Sequence, residues 1–181
     1  LAQILQERVE SIFFLPEQPQ AAVEAELVTG STFEASPEPS AIGEQLATIS
    51  YQRARLFRVG QKTLARPLTG SGNTRHAVMA AEGLVVSRKA DEQRVTVQPF
   101  DADELEAPTL AILGCDPAIG LLESGLRSRG VALVAGEESS SQALLGLANG
   151  EAHVAGCHLL DDATGAYNSS WVRRLVPFPC T

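Results

Sequence analysis

The chain has 181 residues, 44% of them hydrophobic, and a net charge of −8. That length suits one large or two small domains, and no apolar run approaches the roughly 18 to 20 residues that cross a bilayer. The acidic balance argues against this segment gripping nucleic acid by itself, and three cysteines without metal-ligand spacing, Cys115, Cys157 and Cys180, offer no zinc motif.

At the amino end Leu1, Ile4, Leu5, Val9, Ile12 and Phe13 repeat at helical spacing, which predicts an amphipathic helix stopping before Pro16 and a linker to Gln20. No partner helix follows, so its apolar stripe is expected to meet something upstream. The start at Leu1-Ala2-Gln3 has no signal peptide and reads as a cut inside a longer protein. An odd cysteine count without a secretory signal points to a reducing, cytoplasmic setting.

Ala21 to Val28 reads as a strand or a short helix, and residues 29–41, rich in Ser, Thr, Pro and Glu, as a loop. From Tyr51 the pattern is β: Arg53, Arg55 and Arg58 interleave with Ala54, Leu56, Phe57 and Val59, Gly60-Gln61-Lys62 makes a turn, and Thr63-Leu64-Ala65 resumes extended structure. A Gly-rich loop, Thr69 to Asn73, is followed by a predicted short helix, Thr74 to Glu82, ended by Gly83. Leu84 to Ser87 and Arg94 to Val97 are β-branched short strands. Six of the fourteen basic residues, Arg53, Arg55, Arg58, Lys62, Arg66 and Arg75, fall within 23 positions. They read either as a solvated strand face or as a patch for an anion or partner. The acidic stretch Asp101 to Pro108 marks a boundary, giving a helix and linker over 1–20, a small mainly-β module over 21–107, and a third unit over 108–181.

That third unit changes rhythm. Thr109 to Leu113 is a continuous apolar run of strand length, as expected for a strand buried on both faces. Asp116-Pro117 supplies an N-cap and a first-turn proline to a helix carrying Ile119, Leu122 and Leu126 and ending at Gly130. Val131 to Val134 is a second strand, Ser139 to Ser141 open a helix ending at Asn149-Gly150, His153 to Gly156 is a third strand, and Asn168 to Leu175 a last helix. This β-α-β-α-β order implies a parallel sheet with right-handed crossovers, and if the sheet is doubly wound with order 2-1-3 its first and third strands are neighbours. The predicted fold class is therefore α/β, a small mainly-β module followed by a partial doubly wound parallel lobe.

Ligands of open parallel sheets sit outside the strands' carboxyl ends. Three segments occupy those ends: Gly114-Cys115-Asp116-Pro117, Glu138-Ser139-Ser140-Ser141, and Gly156-Cys157-His158 running on to Asp161. Serine hydroxyls beside the free N–H groups of a helix start make a neutral cradle suited to an oxyanion, and three serines exceed what one cap needs. His158 is a candidate ligand residue or a hydrogen-bonded structural histidine, His153 reads as packing within its strand, and His76 as a surface residue. Asp161-Asp162 suits a turn. No nucleophile elbow, Ser-His-Asp order or metal cluster is visible, and Thr69 to Gly72 lacks the Lys-Ser/Thr of a phosphate loop, so no catalysis, metal or cofactor is expected. Cys115 and Cys157 each follow a glycine at a strand end, and read either as inert packing or as a redox pair on neighbouring strands.

Ile112 to Ala118 (ILGCDPA), Gly150 to Asp161 (GEAHVAGCHLLD) and Thr164 to Asn168 (TGAYN) resemble the periplasmic-binding-protein-like domain related to molybdate-binding proteins. The likeness covers about residues 108–178 and only one lobe of that family. It adds Tyr167 and Asn168 to the candidate ligand residues Cys115, Asp116, Ser139, Ser140, Ser141, His158 and Asp161. Such domains follow either a helix-turn-helix domain in bacterial regulators or the molybdopterin molybdotransferase. Leu1 to Leu15 resembles the last helix of the former, as do Leu64 to Leu68 and Ala80 to Val85 its intervening β module. Pro67 to Gly72 loosely resembles the enzyme's β domain. The resemblance implies the effector region of a cytoplasmic transcription regulator, binding a small ligand such as the oxyanion molybdate, or a pterin. DNA would be reached through an upstream domain, the chain would form a homodimer, and no membrane would be involved. The alternatives are a C-terminal piece of the molybdenum-cofactor enzyme and a module used only for dimerisation.

Overall fold

The computed structural model describes residues 21–31, 52–68, 80–88 and 93–180. The amino-terminal helix and linker, residues 32–41 of the first loop, the Gly-rich loop, Arg75, His76 and most of the helix predicted after that loop lie outside these residues. Five strands, β1 (Val23–Leu27), β2 (Gln52–Val59), β3 (Lys62–Pro67), β4 (Gly83–Arg88) and β5 (Arg94–Pro99), close into a barrel of order β1-β3-β2-β4-β5. All neighbours are antiparallel except β1 and β3, which run parallel. Ala21 to Val28 thus resolves as a strand.

Consecutive registered pairs on β2 and β3 face opposite ways, as the period-2 pleat requires. Leu56 and Ala65 point into the barrel with Ala25, Ala54, Val95 and Val97, and Leu105 joins them. Phe57 and Leu64 point outward, where with Val28 they meet Ala111 and Val134. Both faces of this hairpin are therefore buried, one in the barrel and one against the next unit.

Leu105 comes from a short helix, α1 (Ala102–Glu106), formed within the acidic stretch. A second difference from the sequence reading is at Gly83. Ala80 to Glu82 are not helical, and Gly83 opens β4. A Cβ there would lie 2.6 Å from the Gln98 carbonyl oxygen and 2.8 Å from a Val97 methyl, so glycine is required by the close crossing of β5 rather than by a helix end.

Next come β6 (Thr109–Gly114), a 3-10 turn (Pro117–Leu121), α2 (Leu122–Arg127), β7 (Ala132–Glu137), α3 (Ser140–Ala148), the two-residue β8 (Val154–Ala155), a hairpin of β9 (Leu160–Asp161) and β10 (Ala166–Tyr167), and α4 (Ser169–Leu175). The parallel sheet has the order β7-β6-β8, with the first strand in the middle. The single helix expected over 116–130 is instead a 3-10 turn continued as a short α-helix; two interior glycines, Gly120 and Gly125, weaken it. Its predicted caps do form. The Asp116 carboxylate accepts the Ala118 N–H at 2.8 Å, and Gly130 takes φ +71° past the end.

Register places Ala111, Leu113, Val134 and Gly136 on one sheet face. The barrel covers Ala111 and Val134, while α3 covers Leu113 through Ala143 and the following Ala152. Among the described residues no helix is long and apolar enough to cross a membrane.

Candidate functional site

The three strand-end segments arrive at one edge of the sheet. The Glu138 N–H donates to the Gly114 carbonyl at 3.3 Å, and the Gly156 N–H to the Leu113 carbonyl at 2.7 Å. A Cβ on Gly114 would lie 3.2 Å from the Gly156 Cα, so two bare backbones abut and leave the edge without side-chain cover at that point. Cys115 and Cys157 follow these glycines. Both thiols are free, and burial pushes the Cys157 thiol above its ordinary value.

The serines divide their work. Ser139 caps α3, its hydroxyl accepting the Gln142 N–H at 3.4 Å. The Ser140 hydroxyl accepts the His158 backbone N–H at 3.1 Å, which ties the third segment to the second. Ser141, half-buried, belongs to the first turn of α3. His158 meets the serines through its backbone rather than its ring, while Cys115 and Asp116 are exposed and Asp116 is engaged as a cap.

The remaining candidates sit on the hairpin beyond His158. Asp161 accepts the Ala163 N–H at 3.0 Å, making the turn its composition suggested. The Ser170 hydroxyl beside it, the backbone N–H groups of Ala163 and Thr164, and Arg174 together hold its carboxyl below the usual range, against some desolvation. Asn168 is a structural residue: its side-chain oxygen accepts the Leu159 N–H at 2.8 Å, its own N–H donates to the Leu159 carbonyl at 2.8 Å, and its φ is +61°, a conformation Asn tolerates better than most residues. Tyr167 is exposed, opposite Leu160.

Residues 123–180 match a family model, the PBP superfamily domain. The match begins in α2 and takes in β7, α3, β8, the hairpin and α4, so two of the three strand-end segments lie inside it. It supports the periplasmic-binding-protein-like likeness and a ligand-binding role for this part of the chain. No curated protein and no solved structure matches the chain.

His153 is not a packing residue. Its ring is exposed, and its Nδ1 accepts the Ala111 N–H at 3.0 Å while its own N–H donates to the Ala111 carbonyl. The imidazole thus extends the ladder at the amino end of β8, and requires an unprotonated Nδ1 to do so.

Four members of the basic cluster pair with carboxylates, the exposed Arg58 and Lys62 at the surface and Arg55 and Arg66 largely out of solvent, while Arg75 lies outside the described residues. Arg55 binds both oxygens of Glu82 at 2.8 and 2.9 Å, Arg58 pairs with Glu106, Lys62 with Glu26, and Arg66 with Glu138 at 3.3 Å. Arg55 and Arg66 are largely buried. Burial pulls the Arg66 guanidinium below its ordinary value, opposed by Glu138 and Glu151. The sequence places Arg66 in a basic cluster and Glu138 in a strand-end segment, but it does not indicate the pairing of Arg66 with Glu138 or of Thr29 with Glu151; the partners lie 72 and 122 positions apart, beyond any spacing rule.

A cleft of about 260 Å³ opens at the opposite end, between the barrel and the amino ends of β6 and β7, lined by Leu56, Glu82, Thr109, Val131 and Val134 among others. Glu82, the acid in its wall, is saturated by Arg55 and by the Leu56 N–H at 3.0 Å. The other polar groups of the cleft wall are also engaged, Arg127 by Glu123 and the Thr109 hydroxyl by the Ala107 carbonyl, and the family match covers two of the three strand-end segments, so the strand-end edge is the better candidate. Among the described residues no group of three or more His, Cys, Asp or Glu is placed to hold a metal.

Proposed function

We propose that this chain is the ligand-sensing effector region of a cytoplasmic, one-component bacterial transcription regulator, binding a small ligand at the carboxyl ends of β6, β7 and β8. The observation that carries the reading is the convergence of Gly114 to Asp116, Glu138 to Ser141 and Gly156 to His158 at one edge of a parallel sheet. Such edges are where open α/β sheets take their ligands. The match to the PBP superfamily domain, which takes in two of these three segments, supports a binding role for that part of the chain, and the three-stranded sheet is read as part of a doubly wound lobe.

The ligand class follows from the chemistry of the edge. It presents serine hydroxyls, bare glycine backbone and the first N–H groups of α3, with no lysine or arginine in the three segments, and its two carboxylates are engaged, Asp116 by the Ala118 N–H and Glu138 by Arg66. Neutral donors of this kind suit a small, strongly hydrated oxyanion, and the family likeness makes molybdate the first anion to try. DNA contact is assigned to a domain outside this chain, since the net charge of −8 opposes direct binding. The regulator is read as a homodimer on a two-fold operator, and the chain as a binder without catalytic activity of its own.

Thermal denaturation with molybdate, tungstate, sulfate, phosphate and a pterin tests the reading. A ligand at 100 times its dissociation constant adds about 2.7 kcal/mol, or roughly 5 to 10 °C in Tm for a chain of this size. The shift is expected with one of these probes and is expected to be lost in a Ser140→Ala, Ser141→Ala double variant. No shift with any probe, or an undiminished shift in the double variant, defeats the proposal.

A further inference from the structure

Both ends of α3 are fastened to the barrel, by different chemistry at each end. Ahead of its amino end, Glu138 takes Nη1 of Arg66, which stands on β3. Past its carboxyl end, Glu151, only 7% exposed, accepts from both the N–H (3.0 Å) and the hydroxyl of Thr29, just beyond β1. Between these anchors Lys62 donates to the Asn149 carbonyl at 3.2 Å, and the Asn149 amide to the Thr29 hydroxyl at 3.4 Å.

The middle of the helix is packed without slack. A Cβ on Gly146 of α3 would lie 2.4 Å from one methyl of Leu113, and a Cβ on Gly136 of β7 would lie 2.6 Å from the other. The same point above Gly136 is 2.6 Å from Arg66 Nη1. Helix, Leu113, Gly136 and the guanidinium therefore form one continuous stack, in which moving any member displaces the next. Packed groups of this kind change position in discrete steps rather than by gradual deformation.

We propose that α3 is the link through which the strand-end edge and the barrel sense one another, with Arg66 as the barrel residue that positions the β7–α3 loop. The inference rests on the reading of that edge as the ligand site. A ligand seated on Ser139 to Ser141 shifts Glu138, and the Arg66 fork over Gly136, with the helix behind it, carries the shift to Thr29 and β1. The barrel in turn holds the empty edge in one arrangement, since coupling between two sites is reciprocal.

Residue-resolved amide hydrogen exchange on the full chain at neutral pH, with no ligand added, tests the link. Arg66→Met and the milder Glu138→Gln are compared with the unaltered protein. In either variant the Gln142 and Ala143 amides are expected to exchange roughly tenfold faster or more, and the Thr29 amide at the far end of α3 is expected to accelerate with them. The Val95 and Val97 amides inside the barrel stay protected, showing that the fold is intact. Thr29→Val is expected to act in reverse, speeding exchange at Gln142 and Ala143. Acceleration confined to the β7–α3 loop, with Thr29 unchanged, means an ordinary local ion pair and overturns the proposal; so does no acceleration in either variant. Because no ligand is present, this outcome is independent of the anion titration that tests the site itself.

Discussion

Replacing Gly146 by alanine sets a local rule against a tertiary one. Glycine inside a helix is about 1 kcal/mol worse than alanine, so α3 taken alone gains stability from Gly146→Ala. The added methyl, however, would stand 2.4 Å from Leu113 Cδ1, where carbon atoms prefer about 3.5 to 4.0 Å. Leu113 cannot swing clear, because its other methyl already fills the space over Gly136, under Arg66. Overpacking of this kind costs about 1 to 3 kcal/mol, which leaves a net loss of about 1 kcal/mol and a Tm lower by roughly 2 to 4 °C. Gly125 in α2 is the matched control. Its Cβ would meet nothing closer than Arg129 Nη1 at 3.8 Å, so Gly125→Ala is expected to keep the propensity gain of up to about 1 kcal/mol. Urea unfolding followed by circular dichroism and by the fluorescence of the single tryptophan, Trp171, measures both. A Gly146→Ala protein as stable as its parent or more so would refute the stack, as would a Gly146→Ala, Leu113→Val double variant showing no compensation between the two changes.

Three further outcomes follow from single contacts. His153→Phe strips the Ala111 N–H of its Nδ1 acceptor and is expected to cost about 1 kcal/mol in urea unfolding, whereas His158→Phe, at an exposed ring, should stay within about 0.5 kcal/mol; equal effects would deny His153 its ladder role. Asp161 has a carboxyl held below its usual range in the folded state, so its contribution is present above the unfolded Asp value near about 3.9 and fades as pH falls through the lower folded value. Tm measured between about pH 5 and pH 2 should fall less steeply in Asp161→Asn than in the parent, and parallel profiles would contradict this. Because burial raises the Cys157 thiol, less of it is thiolate at neutral pH than of an exposed cysteine. Mass spectrometry after brief iodoacetamide treatment should find Cys115 and Cys180 modified first, and early labelling of Cys157 would reverse that order.

What the sequence by itself determined was local or periodic. The apolar run from Thr109 to Leu113, the Asp116-Pro117 and Ser139 caps, and the glycines at 130 and 150, both with positive φ, mark strands and helix ends through groups only a few residues away. From their alternation a parallel sheet follows, and with it the meeting of three strand ends at one edge; that the first strand lies in the middle, in the order β7-β6-β8, is settled by the pairing itself. Where a local signal had two physical causes the reading slipped. Gly83 looked like a helix end because glycine serves there, but it is needed where β4 passes the β5 backbone. His153 looked like packing because it falls within the predicted third strand, but its ring accepts the Ala111 N–H of the neighbouring strand β6. Tertiary structure alone decided the parallel β1–β3 contact that closes the barrel, the burial of both faces of β2 and β3, and the pairing of Arg66 with Glu138 and of Thr29 with Glu151. Arginines alternating along a strand look the same whether they meet water or a carboxylate 72 residues away. Period fixes which face a side chain takes, and only the stacking of one unit on another settles what that face will touch.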